Sequence, residues 1–392
     1  MDKREIRDGI YYVGAQDWNR TLFDALIPLP DGTSYNAYLI IGGEKIALID
    51  TVDPTKKDVL FEYLKDVDHI DYVISQHAEQ DHSGSIPFVL ERYPSAKVVT
   101  NPKGKELLMS HLHIPEDKFI TVNDGETLSL GNKTLKFIYA PWVHWPETFV
   151  SYLLEDKILF TCDLFGSHLA TSDLFVEDEG LVYEAAKRYY AEIMMPFRNI
   201  IQKNLEKIKD LNIDIIAPSH GPVYKNPSFI IDAYKDWISD NPKNLVVVPY
   251  ISMHDSTKIM VDYFVDRLIE KGIKVQIFDL TVADIGKIAM SLVDTATLVI
   301  GTPTVLAGPH PKVLYVTYLA NILKPKVKFA TVIGSYGWGG RTLDIIKSNL
   351  TNLSVELIDP VLVKGFPKLE DFRLLDELAQ KIYNKHKEIG VL

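Results

Sequence analysis

The chain is nearly devoid of cysteine, with one thiol, Cys162, in 392 residues. A single thiol excludes an internal disulfide and any four-cysteine metal site built within one chain. An excess of positive charge is missing too. Set against 53 Asp and Glu, 42 Lys and Arg leave a formal net charge of −11. A nucleic-acid binder needs the opposite, a basic face that displaces counterions from phosphate. The plain reading of the acidity is a well-solvated surface. Long apolar runs are also lacking. The amino-terminal "MDKREIRDGIYYVG" is charged and then strand-like, with no apolar stretch of signal-peptide type after it. No segment reaches the length needed to cross a bilayer, and there is no low-complexity tract or short-period repeat. The expectation is a cytoplasmic chain that binds neither nucleic acid nor membrane.

What remains is an ordinary globular composition, 46% hydrophobic and 24% charged, at a length that suits two domains. Over the first ~240 residues, "GIYYVG", "NAYLII", "KIALIDT", "DYVISQ", "KVVTN" and "KILFTCD" read as short strands. Helical patterns fall at 55–66, 84–93, 181–211 and 228–238. Several early strands follow one another without helices, which predicts a layered α/β domain on mixed sheets. From about residue 244 the rhythm is regular. "LVVVPY", "KVQIFDL", "ATLVIGTP", "VKFATVIGS" and "SVELIDPVLVKG" are buried strands separated by helical segments. That alternation predicts a doubly wound parallel sheet. The polar "SDNPKN" marks the boundary, giving domains 1–242 and 243–392.

The apolar run "DYVI" leads straight into "SQHAEQDHSGS", where His77, Glu79, Asp81 and His82 crowd into six positions. By average composition H-x-E-x-D-H arises by chance in on the order of one such chain in two thousand. A capped helix start with a solvated charge cluster is the bland explanation, with Gly84 opening the helix. A cap, however, needs only one short polar side chain. Three further strand ends deliver similar groups. "YAPWVHWPET" sets His144 between Trp142 and Trp145, "KILFTCDLFGSH" ends on Asp163, and "IDIIAPSHGPVY" ends on His220. Singly, each is more often a satisfied buried polar residue. Together they suggest two cations in one pocket, since a buried acid is costly unless paired or coordinated. His168 is expected as a neighbour of that site or as a plain surface histidine, His111 and His113 as a solvent-facing pair, and Cys162 as a buried structural thiol.

The second half carries three loops at strand carboxyl ends. Ser252, Met253, Ser256 and Thr257 surround a helix start whose free N–H groups attract an anion. "GTPTVLAGPHP" contributes Pro303, Thr304, Val305 and Gly308, and "GSYGWGGRT" contributes Ser335, Tyr336, Gly337, Trp338 and Gly339. A flavodoxin-like sheet binds FMN at this end. Flat aromatic faces suit its ring, and glycines allow close approach. This half resembles the short-chain flavodoxins, and from the loop pattern that the resemblance implies, Asp255 in the first loop and the Leu306–Ala307 pair in the second depart.

The order of "HAEQDH", His144, Asp163 and His220 resembles the metallo-β-lactamase fold, whose hydrolases usually read H-x-H-x-D-H in the first loop. Glu79 stands where the second histidine would be, and there the chain looks like the flavodiiron proteins. A carboxylate in place of imidazole makes a harder, more anionic site, suited to iron rather than to hydrolytic zinc. The resemblance implies a metallo-β-lactamase-like αββα sandwich followed by a flavodoxin-like doubly wound five-stranded parallel sheet. It implies that His77, Glu79 and His144 hold one iron, Asp81 and His220 the other, with Asp163 bridging; His82 either coordinates or turns away. It also implies FMN, reduction of dioxygen or nitric oxide, and head-to-tail homodimers, alone or paired into tetramers. Electrons would come from an external donor such as rubredoxin, a reduced deazaflavin coenzyme or a reductase. A zinc hydrolase with a flavodoxin-like appendage is the alternative, and an electron carrier with an inert metal domain a second. Choice between the gases would rest on groups near the metals, including Phe23 in "WNRTLFDAL".

Overall fold

The computed structural model describes residues 2–392. The chain forms two compact units, Met1–Ile238 and Ser239–Leu392, so the division falls a few residues before the expected boundary.

In the first unit a seven-stranded sheet runs in the order Arg4–Arg7, Ile10–Tyr12, Tyr38–Ile41, Ile46–Ile49, Tyr72–Ile74, Lys97–Thr100 and Phe119–Thr121. A five-stranded sheet follows, from Thr127–Ser129 through Thr134–Tyr139, Phe149–Leu153 and Ile158–Cys162 to Ile215–Pro218. Strand alternation sorts the side chains into two layers. Ile40, Ala47, Ile49, Ile74 and Val99 meet Leu135, Phe137, Phe149, Phe160 and Ala217 between the sheets. Their neighbours Leu39, Leu48, Val73 and Val98 face the other way, against the helical residues Leu60, Ile86, Val89 and Leu108. Helix, sheet and sheet are thereby stacked around two apolar layers.

Two local expectations change. Gly84 does not open a helix; it ends a one-turn helix, Gln80–Ser83, whose first residue follows Glu79, and Ser85 starts the next, Ile86–Arg92. The long pattern over 181–211 is broken as well. Helix Glu179–Tyr189 passes into a π turn at Tyr190–Met194 and a 3-10 turn at Met195–Phe197, and resumes at Arg198–Ile208. Pro196 lacks the N–H that a continuous helix requires there.

The second unit has a parallel sheet in the order Lys274–Asp279, Lys243–Tyr250, Thr295–Val305, Phe329–Tyr336, then a fifth position. This is the 2-1-3-4-5 order of the flavodoxin type. The fifth strand is in two pieces, Glu356–Leu357 and Val361–Lys364. Asp359 and Pro360 interrupt it, because proline cannot donate to the ladder. Val246, Val248, Val299 and Ile333 pack on Phe264, Leu375, Leu378 and Ile382 from the flanking helices. Among the described residues no helix is long and apolar enough to cross a membrane.

Candidate metal centre and flavin cradle

All seven candidate ligands meet at the carboxyl ends of the first unit's strands, in two groups. In the first, His77 Nε2 lies 3.0 Å from Glu79 Oε2 and 3.4 Å from Asp163 Oδ2. His144 Nε2 lies 3.1 Å and 3.4 Å from the same two oxygens. In the second, His82 Nε2 is 3.3 Å from Asp81 Oδ2 and 3.0 Å from Asp163 Oδ1. His220 Nε2 is 3.3 Å from Asp81 Oδ2 and 3.4 Å from Asp163 Oδ1. Asp163 therefore turns one oxygen to each group. His82, which the sequence left open, points inward with the second.

These contacts are mostly not hydrogen bonds. Both oxygens of Asp163, both of Asp81 and both nitrogens of His82 are buried without a hydrogen-bond partner. Such atoms cost about 1–3 kcal/mol each when left unsatisfied. Nitrogen and oxygen lone pairs that converge without donating to one another are the arrangement of a ligand shell. The donor set, four imidazoles and three carboxylates, suits two divalent cations of the iron or zinc class.

Protonation in the metal-free chain follows from the same crowding. Burial pushes His77 down, but its bonds to Glu147 and Glu79 and the charge of Asp163 outweigh it and hold it at about 10. His144 also stands at about 10, where Asp163 and Glu79 outweigh burial, and His82 at about 9, where Asp81 and Asp163 do. Burial raises Asp163, yet His82, His144 and His77 drive it well below the carboxylate range, and His144 and His77 likewise lower Glu79.

Supporting groups fix the imidazoles. Glu147, which sequence reasoning missed, places Oε1 2.9 Å from His77 Nδ1 and 2.9 Å from the Ala78 amide. Only three residues beyond His144, it could have been found by the buried-acid argument that marked Asp163. The carbonyl of Ser34 lies 2.5 Å from His220 Nδ1. Burial raises Tyr189 well above its ordinary value, helped by the nearby charge of Asp163; no spacing signal announced this tyrosine. His168 is buried rather than on the surface, with its ring centroid 5.0 Å from that of His220. Phe23, on the hairpin Leu22–Phe23/Ile27–Pro28, packs its ring on His168 and His220 at 4.9 and 6.3 Å. His111 stands near Trp145, 5.9 Å between rings, and takes no part in either group. The Cys162 thiol is free and buried, and burial drives it well above its ordinary value.

In the second unit the three loops come together. Thr257 Oγ1 lies 3.3 Å from Ser335 Oγ, joining the first to the third. Thr304 Oγ1 lies 2.7 Å from Thr342 Oγ1, and the Arg341 amide donates to the Ala307 carbonyl at 2.9 Å, joining the second to the third. Pro303, Thr304, Val305 and Gly308 belong to a hairpin whose tip is Leu306–Ala307, both at positive φ. The amino end of helix Ser256–Glu270 opens beside Ser252 and Met253, and Asp255 precedes it without capping it. Trp338 is 76% exposed, Tyr336 half-buried, and nothing lies within 4 Å of a Cβ built on Gly337 or Gly339. A helix terminus for a phosphate, an uncovered indole and open backbone beside it suit a flavin mononucleotide.

Residues 33–221 match the family model described as "ODP family beta lactamase". The chain is 37% identical to the nitric oxide reductase of Moorella thermoacetica, over 96% of this chain and 97% of that protein. Among solved structures, the rubredoxin oxygen:oxidoreductase of Desulfovibrio gigas superposes with a TM-score of 0.96 at 30% identity, covering 100% of both chains. The flavodiiron protein of Giardia intestinalis superposes with a TM-score of 0.91 at 26% identity, covering 99% of this chain and 97% of that one.

Proposed function

The chain belongs to the flavodiiron protein family, and from that premise we propose that it is an FMN-dependent di-iron oxidoreductase reducing dioxygen to water, nitric oxide to nitrous oxide, or both. The observation that carries the reading is Asp163, whose two buried, unpartnered oxygens face two separate ligand groups. His77, Glu79 and His144 would hold one iron, and Asp81, His82 and His220 the other, with Asp163 shared. Relatives matching over 97% and 98% of their own length are named nitric oxide reductase and rubredoxin-oxygen oxidoreductase, which sets aside the zinc hydrolase. A nearly complete ligand shell likewise argues against an inert metal domain in an electron carrier.

Two irons and a reduced flavin supply four electrons when bound, as dioxygen requires, or two for each pair of nitric oxide molecules. The protein's part is to hold and to shield. Glu147 accepts from His77 Nδ1–H, and the Ser34 carbonyl accepts from His220 Nδ1–H, so each ring offers Nε2 inward. Phe23 and Trp145 lie against the imidazoles and exclude water from that side. In the second unit the three loops would hold FMN, with its phosphate at the start of helix Ser256–Glu270 and its ring beside Trp338 and Tyr336.

The reading extends to an external electron donor. It further extends to a cytoplasmic homodimer or homotetramer with chains head to tail, supported by the need to bring a flavin edge close to an iron pair. The test is the content of iron, zinc and FMN in protein made with ample iron and purified without oxygen. About two irons and one FMN per chain, with consumption of either gas by the reduced protein, are expected. Two zincs and no flavin under iron-rich expression would overturn the reading.

A further inference from the structure

One buried polar group beside the metal centre is still without a task. His168 is 3% exposed, and its Nε2 has no hydrogen-bond partner. Phe23, Tyr189 and His220 enclose the ring at centroid distances of 4.9, 4.8 and 5.0 Å. The other imidazole of this cage is engaged. His220 uses both nitrogens, Nδ1 on the Ser34 carbonyl and Nε2 toward Asp81 and Asp163. An imidazole carries at least one N–H in either protonation state.

Thr33 decides which nitrogen carries it. Thr33 Oγ1 is 2.9 Å from His168 Nδ1 and 3.4 Å from the Ser34 carbonyl. That carbonyl already faces His220 Nδ1 at 2.5 Å. The Thr33 hydroxyl has one hydrogen, and its shorter contact, 2.9 Å against 3.4 Å, is to His168 Nδ1; donation there leaves the ring hydrogen on Nε2. A buried N–H without an acceptor is unfavourable, and that penalty is removed when a ligand with an oxygen atom enters.

We propose that His168, in its Nε2–H tautomer, is a catalytic residue that donates a hydrogen bond to the oxygen of the diatomic substrate, on the Asp81–His82–His220 side of the centre. The bond strengthens as negative charge develops on that oxygen, so it lowers the barrier more than it tightens binding. No proton need leave the ring. This role rests on the di-iron reading above.

The test uses the full chain loaded with iron and FMN and reads the infrared N–O stretch of the nitric oxide adduct of the reduced protein, in H2O and D2O. Wild type is expected to show a band that shifts in D2O. His168→Leu is expected to keep its iron, lose the D2O shift and lose about 100-fold in kcat with little change in KM. His168→Gln, which keeps an N–H donor, is expected to recover part of both. Thr33→Val, which frees the tautomer, is expected to broaden or split the band even if the Leu variant fails to fold. A band and kcat unchanged in the Leu variant, or in Thr33→Val where Leu does not fold, would overturn the role of His168 alone. Absence of any nitrosyl band in wild type would overturn the di-iron reading with it.

Discussion

Glu147 Oε1 lies 2.9 Å from His77 Nδ1, on the ring edge opposite the one that faces Glu79 and Asp163. The carboxylate also takes the Ala78 amide, so it fixes both the ring and the backbone from which the loop departs. Its carboxyl is buried, which alone would raise its pKa; the bond and charge of His77 lower it instead. Glu147→Gln keeps the shape and removes the charge. The expected outcome is metal affinity weakened about 10- to 100-fold at the His77 side, with the fold intact. Competition against a chromophoric chelator reads this directly, and affinity equal to wild type would show that Glu147 does not tune the ligand.

Metal uptake should depend steeply on pH. In the metal-free chain His77 and His144 stand at about 10 and His82 at about 9, all raised over 6.5. Groups raised in the folded state add stability that is complete below pH 6.5 and fades as pH climbs through 9 to 10. The same protons compete with the cation, since an imidazole must be neutral to coordinate. Affinity should therefore rise between pH 6.5 and 8.5, by roughly a decade per pH unit for each proton displaced. Zinc serves as a redox-silent probe, and a flat profile would contradict the protonated cluster.

The flavin cradle predicts its own variant. A Cβ on Gly340 would come within 2.8 Å of Thr304 Cγ2 and 2.9 Å of the Ala307 carbonyl, where the second and third loops meet. Gly340→Val should part these loops and weaken FMN binding by at least roughly tenfold, about 1.4 kcal/mol. Iron content should not change, because the ligands belong to the other unit. Fluorescence titration of the flavin-free protein with FMN measures the first, and iron analysis the second.

The metal side was legible in the sequence because its residues are chemically expensive. Acids and imidazoles at the ends of apolar strands have no cheap explanation, and six positions from His77 to His82 concentrate them. The sheet of the second unit was equally open, since buried parallel strands read as continuous apolar runs. Less visible were features that depend on contacts distant in sequence. Thr33 and Ser34 lie on a two-stranded ribbon more than 130 residues from His168 and His220. Tyr189 reaches Asp163 from a helix whose π turn follows at Tyr190–Met194. Strand and helix periodicity carries no trace of either. The break in the fifth strand of the second unit was readable from Pro360 and went unused.

His386 supplies a prediction about stability rather than catalysis. It sits in the last turn of helix Leu369–Glu388, fully buried, with Nε2 2.8 Å from Thr297 Oγ1 and Nδ1 2.9 Å from Asn244 Oδ1. It thus ties the closing helix to the strands Lys243–Tyr250 and Thr295–Val305. Burial lowers it to about 4, against 6.5 for an unfolded histidine. Between these values the unfolded chain binds a proton that the fold does not, so stability is full above pH 6.5 and falls as pH drops toward 4. The loss amounts to about 3 kcal/mol at pH 4. Hydrogen exchange of amides in 369–388, corrected for intrinsic rates, should report it as faster opening at pH 5 than at pH 7. His386→Gln removes the titrating group while keeping a polar side chain. It should be less stable at neutral pH and nearly flat across the window. A variant that retained the full acid sensitivity of wild type would place the titrating group elsewhere in this unit.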